Sequence, residues 1–195
     1  MTASPSLLSH HRTAFWSATK WTFGVSALMV LIFALQQLGP WWNSWGIMPR
    51  SLGSWKGFFL AQLMHGSWAH LIGNLSAFVG LGLMTGSLYP SATRLAMPIV
   101  WVSAFACIWL LGAPNTSHIG ASGLVYGLMA FAVCMGLYRR DIKTIVGALV
   151  VLVIYGGAVW GLLPKQGVSF TAHAGGVLGG ILAAKWLHNM DKMRK

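Results

Sequence analysis

The chain has 195 residues, the size of one domain, and 56% of them are hydrophobic while only 8% are charged. Soluble proteins carry about 25% charged residues, so this composition excludes a soluble domain and predicts a polytopic membrane protein. The chain has no Glu, and its two side-chain carboxylates are Asp141 and Asp191. Chemistry that needs paired acids is therefore nearly excluded. The formal charge of +11 does not predict nucleic-acid binding, because the 13 Lys and Arg are spread along the chain.

Six apolar runs predict an all-α fold with six membrane-spanning helices. The runs cover residues 21–38, 68–86, 94–112, 123–138, 143–163 and 171–188. The first run lacks the small-residue cleavage site of a signal peptide, so we expect it to remain as a helix behind a polar segment, 1–20. Residues 21–188 then form one membrane domain, followed by a basic tail, 189–195. Cys107 and Cys134 both lie in apolar runs, and we expect no disulfide.

The Lys and Arg residues predict the orientation of these spans. With both termini in the cytoplasm, three lie on the outer side, namely Arg50, Lys56 and Lys165. The other ten lie on the cytoplasmic side: Arg12, Lys20, Arg94, Arg139, Arg140, Lys143, Lys185, Lys192, Arg194 and Lys195. This excess follows the positive-inside rule, so we expect both termini to be cytoplasmic.

The segment 39–66, between the first two spans, is too long for a hairpin and is broken by several Pro and Gly residues. It contains Trp41, Trp42, Trp45 and Trp55. Tryptophan favours the headgroup level of a bilayer, where its ring stays dry and its N–H stays wet. We expect an ordered insertion that lies along the outer leaflet rather than a loose loop.

Four polar residues lie where an unsatisfied polar side chain is costly, at His70, Asn74, Ser122 and His173. His70 and Asn74 are four residues apart, so they project from the same helical face and can converge on one point. Either residue alone also fits a polar contact that holds helices together. His65 precedes this helix, and the spacing does not define its position.

Ser122 follows a polar stretch, 114–118, and opens a predicted helix of only about 16 residues, or roughly 24 Å, against a hydrocarbon core of ~30 Å. The helix is therefore expected to begin below the outer surface. Irregular backbone at that depth requires surrounding protein or a watered cavity, where a hydrolytic nucleophile must also lie. The free N–H groups of the first turn would face an oxyanion that forms beside Ser122.

Two of the predicted helices carry small residues at helical spacing. These residues are Gly123, Gly127, Ala130 and Cys134 after Ser122, and Gly176 and Gly180 on the face of His173. Small faces let helix backbones approach closely, so packing through them would bring Ser122 and His173 together. The glycines alone fit ordinary helix packing equally well. Tyr126, four residues after Ser122, is placed to brace the imidazole.

Several hydrolytic chemistries do not fit. A metalloprotease of the H-E-x-x-H type needs a Glu, and an aspartyl protease needs two facing carboxylates, whereas Asp141 and Asp191 both lie beside basic residues. Leu124 replaces the last Gly of the G-x-S-x-G elbow. A zinc site of His65, His70 and His173 stays open, although its spacing matches no common ligand pattern. A serine nucleophile with a histidine base and no Asp fits best.

Three motifs in order resemble those of the rhomboid intramembrane serine proteases, of the compact bacterial six-helix kind. They are His65-x4-His70-x3-Asn74, then Gly120-Ala121-Ser122-Gly123 with Tyr126, then Ala172-His173-x2-Gly176-x3-Gly180. Each motif alone is weak, but the three together are specific. The resemblance covers roughly residues 20 to 188.

This resemblance implies a Ser122–His173 dyad, with His70, Asn74 and the Ser122 N–H as oxyanion donors. It implies that Tyr126 stacks on His173 and that Gly120 shapes the turn before Ser122, with no cofactor and no metal. The implied substrates are single-span or C-terminally anchored membrane proteins, cut near the outer end of their membrane segment. The implied location is a bacterial inner membrane.

The resemblance leaves one departure from the family pattern and several open questions. Family members often carry Trp-Arg in the insertion, where this chain has Trp55-Lys56, and lysine lacks the guanidinium fork. Span five and the loop 163–167 are expected to form the gate through which a substrate enters. A related subfamily that processes sortase-like C-terminal tags is not separable by these motifs. The rival functions are a catalytically silent rhomboid-like binding protein and a small transporter or channel.

Overall fold

The computed structural model describes residues 7–191, except the side chains of residues 7–11, Trp41 and Asn43. Within this range the chain forms seven α-helices, three short 3-10 helices and no strand beyond one isolated bridge. The helices are α1 (Leu7–Gln36), α2 (Trp55–Leu60), α3 (Trp68–Leu88), α4 (Pro90–Leu111), α5 (Ser122–Arg139), α6 (Ile142–Tyr155) and α7 (Phe170–Leu187). The predicted tail residues Lys192, Arg194 and Lys195 and the first six residues lie outside the described part.

Five segments of the described chain are long and apolar enough to cross a membrane. They are Arg12–Gln36, Trp68–Leu88, Pro90–Leu111, Ser122–Arg139 and Ile142–Leu162. The all-α, membrane-spanning fold expected from the sequence is thus confirmed. The sixth predicted span, α7, is not among the five, although its length of 18 residues equals that of α5.

Helix α7 is the central helix of the bundle. It lies between α4 and α5, with which it makes its most extensive contacts, and nine of its 18 residues are buried. Its Gly179 faces α4, where an added Cβ would come within 2.8 Å of the Val100 Cα atom. A helix enclosed by protein does not need a lipid-facing apolar surface, so small and polar residues are tolerated here.

Two helix starts differ from those expected. The first helix begins at Leu7 rather than near residue 21, because no Pro or Gly interrupts residues 7–23. Helix α4 begins at Pro90, four residues before the predicted start. The carboxylate of Asp191 accepts hydrogen bonds from the amides of Ser91 and Ala92, at 3.0 and 2.8 Å, and so caps this earlier start.

The fifth predicted span is not one continuous α-helix. Helix α6 ends at Tyr155, and the chain continues as a 3-10 helix from Gly156 to Leu162, which we call the 3-10 segment. Paired glycines at 156 and 157 weaken the α-helical hydrogen-bond pattern there. The 3-10 segment contacts α7 and so approaches His173.

The insertion between α1 and α3 is ordered, as expected. It contains a 3-10 helix, Pro40–Trp45, and the short helix α2. Trp42 is buried and its ring lies 4.8 Å from the ring of Trp45. The ammonium of Lys56 lies 5.3 Å from the Trp45 ring centre and makes a cation–π contact with it.

Candidate active site

Backbone hydrogen bonds from the insertion between α1 and α3 fix the loop that leads into α5. Ile47 and His118 exchange two backbone hydrogen bonds of 2.9 and 3.0 Å, which form the isolated bridge. The amide of Gly120 donates to the carbonyl of Ala61 at 2.8 Å. These bonds fix the backbone two residues before Ser122, the first residue of α5. The short predicted helix is observed as 18 residues.

Ser122 and His173 meet although they are 51 residues apart. The Ser122 Oγ atom lies 2.8 Å from the His173 Nε2 atom. The contact depends on close approach of α5 and α7, because an added Cβ on Gly176 would overlap the Gly123 carbonyl and one on Gly180 would overlap the Gly127 carbonyl. The glycine faces of the two helices therefore pack against each other and bring the hydroxyl to the imidazole.

The other side of the His173 ring is also engaged. Its Nδ1 atom lies 2.7 Å from the carbonyl oxygen of Gly161. A carbonyl can only accept, so Nδ1 carries the proton and Nε2 is free to accept the proton of the Ser122 hydroxyl. The Tyr126 ring stacks on the imidazole with 4.0 Å between centres and an interplanar angle of 9°. Tautomer, tilt and position of the imidazole are thus all defined.

His70 and Asn74 form the opposite wall from α3. A Cβ added to Gly120 would lie 2.5 Å from His70 Nε2 and 3.6 Å from Asn74 Nδ2, so both nitrogens face the backbone just before Ser122. Gly120 has φ of +118°, which favours glycine. The Gly66 amide donates to His70 Nδ1 at 3.5 Å, which leaves the ring proton on Nε2. Among the described residues, the Asn74 amide nitrogen is buried and has no hydrogen-bond partner.

The structure thus brings His70 and Asn74 close to the loop that leads into α5, beside the contact between Ser122 and His173. The amide of Ser122 belongs to the first turn of α5, where N–H groups have no acceptor within the helix. Three hydrogen-bond donors therefore lie near the backbone at Ser122, and donors of this kind can stabilise a negatively charged oxygen.

His70, Ser122 and His173 line one cavity of about 540 Å³. Its walls are formed by Gly66, His70, Thr116, Ser117, His118, Ile119, Ser122, Gly167, Val168, Ser169 and His173. The cavity is reached from the end of the bundle where the insertion and the loops 112–121 and 163–169 lie. We call this the site end. Within the described residues, no three His, Cys, Asp or Glu side chains are grouped to hold a metal ion.

A polar cluster that the sequence did not predict lies at the mouth of this cavity. His118 Nε2 lies 2.8 Å from Thr116 Oγ1, and His118 Nδ1 lies 2.7 Å from Ser169 Oγ. Thr116 donates its own proton to the carbonyl of Ala113, so it accepts from His118, and Ser169 donates to His118. Burial lowers the pKa of His118, which favours this neutral form. The cluster ties the loop before Ser122 to the loop before His173.

His65 is placed by the structure although its spacing left it undefined. It is buried, its Nδ1 lies 3.1 Å from the carbonyl of Leu63, and its amide donates to the side chain of Gln36. Its ring centre lies 5.0 Å from that of His70. Burial and the neighbouring His70 lower the pKa of His65 to about 4. His65 therefore supports His70 as a neutral ring at physiological pH.

Comparison with known proteins identifies the family. The Rhomboid domain matches residues 52–190, well over half of the chain. An uncharacterised protein of Mycobacterium tuberculosis is 35% identical over 168 residues, which cover 81% of this chain and 70% of that protein. An uncharacterised protein of Mycobacterium leprae is 33% identical over 137 residues, or 66% of this chain and 54% of that protein.

A plant relative is more distant. The chloroplastic Rhomboid-like protein 11 of Arabidopsis thaliana is 26% identical over 148 residues, which cover 69% of this chain and 52% of that protein. The helix order, the ordered insertion and the convergence of the three sequence motifs agree with the domain match. The chain is a member of the rhomboid family.

Proposed function

We propose that this protein is a serine endopeptidase that cleaves membrane-anchored proteins within or near a membrane segment. The observation that carries the proposal is the 2.8 Å contact between Ser122 Oγ and His173 Nε2, with the imidazole oriented from its other side. A hydroxyl that shares its proton with an oriented imidazole, next to unpaired donors in a cavity, has the features of an acyl-transfer site.

The reaction follows from these atoms. The Ser122 oxygen attacks the carbonyl carbon of the scissile amide while His173 Nε2 takes the hydroxyl proton. The carbonyl oxygen becomes an oxyanion that accepts from His70 Nε2, Asn74 Nδ2 and the Ser122 amide. His173 then gives its proton to the amine nitrogen as the C–N bond breaks, which leaves an ester on Ser122. Water hydrolyses this ester with His173 again as base.

Substrate access is proposed between α3 and α6. The segment Ile142–Leu162 is the least enclosed of the candidate spans, with 11% of its most apolar stretch buried against 56% for Ser122–Arg139. Its outward residues are strongly exposed, as for Val153 at 84%. A weakly enclosed helix can separate from the bundle at lower cost than α5 or α7. The substrate helix would unwind there so that its amide reaches Ser122.

The orientation and location are also proposals. Ten of 13 Lys and Arg lie on one side if both termini are cytoplasmic, which places the site end at the outer face. A bacterial inner membrane, with single-span or C-terminally anchored proteins as substrates, fits this arrangement. Small residues before the cut are what the resemblance to the rhomboid proteases implies.

Reaction with a fluorophosphonate probe tests the proposal against a catalytically silent binding protein. We expect covalent labelling of the purified protein, and no labelling of Ser122→Ala or His173→Ala. Ser76→Ala is the matched control, because Ser76 is exposed on α3 and bonds only within its own helix. Folded protein that does not label, or that labels in Ser122→Ala, would exclude this peptidase. Co-expression with single-span substrates then tests cleavage itself.

A further inference from the structure

The 3-10 segment sends two backbone carbonyls into the site. The carbonyl of Gly161 accepts from His173 Nδ1 at 2.7 Å, and that of Ala158 accepts from the Tyr126 hydroxyl at 2.5 Å. One short piece of backbone therefore contacts both the imidazole and the ring that stacks on it. The first of these bonds orients the imidazole in the proposed reaction.

The Gly161 carbonyl accepts from the imidazole nitrogen that, in a Ser-His-Asp triad, donates to the aspartate. That carboxylate holds the imidazole in one tautomer and orients it. Neither side-chain carboxylate of this chain is available, since Asp141 accepts from the amide of Thr144 and Asp191 caps α4. A carbonyl can also fix the tautomer, because it accepts only from a protonated Nδ1 and leaves Nε2 to take the proton of Ser122.

Position 161 has room for glycine only. A Cβ there would overlap the Tyr126 hydroxyl and lie 3.3 Å from His173 Nδ1. By contrast, a Cβ on Gly157, in the same segment, would meet nothing within 4 Å. The absence of a side chain at 161 is thus what allows this backbone to approach the imidazole.

The 3-10 segment is otherwise weakly attached. None of its residues is buried, and Val159 and Trp160 are 55% and 72% exposed. It continues α6, the helix proposed to separate from α3 when substrate enters. Few interactions oppose its displacement apart from the two bonds to Tyr126 and His173, each of which contributes modestly to stability.

We propose that the Gly161 carbonyl is a positioning group for His173, and that docking of the 3-10 segment therefore completes the catalytic dyad. The inference rests on the proposed function. Movement of α6 away from α3 removes the acceptor from Nδ1, and the imidazole is then free to rotate and to change tautomer. Ser122 is activated only when the segment is docked, so access of substrate and attack by Ser122 are separate steps.

Replacement of the amide between Gly161 and Leu162 by an ester tests the acceptor directly. An ester carbonyl accepts hydrogen bonds more weakly, so we expect fluorophosphonate labelling of Ser122 to slow about tenfold. The matched control is an ester between Val159 and Trp160, which makes the same backbone change away from His173 and should label at the wild-type rate. Equal rates for the two esters would overturn the proposal.

A pair of glycine substitutions gives a second, independent test. Gly161→Ala should slow labelling at least about tenfold, whereas Gly157→Ala should leave it unchanged. Nitrogen-15 NMR of labelled histidine, assigned by comparison with His173→Ala, reads the tautomer without any activity. We expect a protonated Nδ1 in the wild type and a mixture of tautomers in Gly161→Ala. A wild-type His173 protonated on Nε2 alone would overturn the inference.

The two proposals can fail separately. If wild-type protein shows the protonated Nδ1, loses it in Gly161→Ala and yet never labels at Ser122, the contact with Gly161 stands and the peptidase proposal falls. If the wild type labels and both alanine variants label equally with an unchanged NMR signal, the peptidase proposal stands and the role of Gly161 falls.

Discussion

The contact between Gly176 and Gly123 sets the distance between the helices that carry His173 and Ser122. A Cβ added to Gly176 would lie 2.9 Å from the carbonyl carbon of Gly123 and 3.2 Å from its Cα, with the oxygen closer still. Non-bonded carbons pack at about 3.5–4.0 Å, so Gly176→Ala must separate α5 and α7 by roughly 1 Å. His173 lies one turn before Gly176 and would move with it.

A movement of that size breaks the reactive contact. The Ser122–His173 distance of 2.8 Å would pass the upper limit of a good hydrogen bond, and misplacement by about 1 Å can slow a reaction about a hundredfold. We therefore expect Gly176→Ala to label with fluorophosphonate, and to cleave a single-span substrate, about a hundred times more slowly than the wild type. Labelling is followed over time on purified protein and normalised to the folded fraction measured by circular dichroism.

Gly24→Ala is the matched control. Gly24 lies within α1, and a Cβ there would meet nothing within 4 Å, so the same substitution should leave the labelling rate unchanged. Wild-type labelling by folded Gly176→Ala would refute the reasoning, because it would show that the helices absorb the added methyl group without moving the dyad. Equal loss in Gly24→Ala would refute it as well.

Three further perturbations probe the oxyanion wall, the capped helix and the buried histidine. Asn74→Ala removes one unpaired donor and should slow substrate cleavage about a hundredfold. Asp191→Ala removes the acceptor for the first amides of α4 and should lower the free energy of unfolding by about 1 kcal/mol, measured by denaturant titration. Burial lowers the pKa of His65 from 6.5 to about 4 in the folded protein. The unfolded chain therefore gains no stabilising proton at His65 above pH 6.5, and the folded protein keeps its full stability there. As pH falls towards 4, the unfolded chain binds a proton that the folded chain does not, and stability falls by about 3 kcal/mol.

Each of these expectations has a result that contradicts it. Full cleavage by Asn74→Ala would remove that amide from the oxyanion site. An unchanged unfolding free energy in Asp191→Ala would show that the cap contributes nothing. For the histidine, His65→Gln should flatten the loss of stability between pH 6.5 and 4, and an identical pH dependence in the variant and the wild type would assign the loss to other groups.

Much of the fold and the core of the site could be predicted because the relevant patterns are local. The apolar runs define which segments become helices, and helical periodicity places His70 and Asn74 on one face. Ser122 at the start of a short helix and the glycines near His173 are visible in the same way. Helix boundaries were less predictable, since α4 starts at a cap supplied by Asp191, 100 residues away along the chain.

The contacts that complete the site could not be predicted. The bond between His118 and Ser169 joins two loops whose proximity depends on the packing of α7 between α4 and α5. The polar stretch before Ser122 was visible, but nothing near Ser169 indicated a partner. The break of the fifth span at Gly156 had a local signal in its paired glycines, whereas the direction of the segment that follows had none.

The sequence alone indicated which chemistry is available, because a chain without Glu and with few ionisable side chains in its apolar helices leaves Ser122 and His173 as the proposed reactive pair. Only the tertiary structure decided how the imidazole is held. Every residue has the same backbone carbonyl, so no pattern of side chains marks the one at Gly161 that accepts from His173. Its role arises from where α6 ends and how closely α7 approaches it.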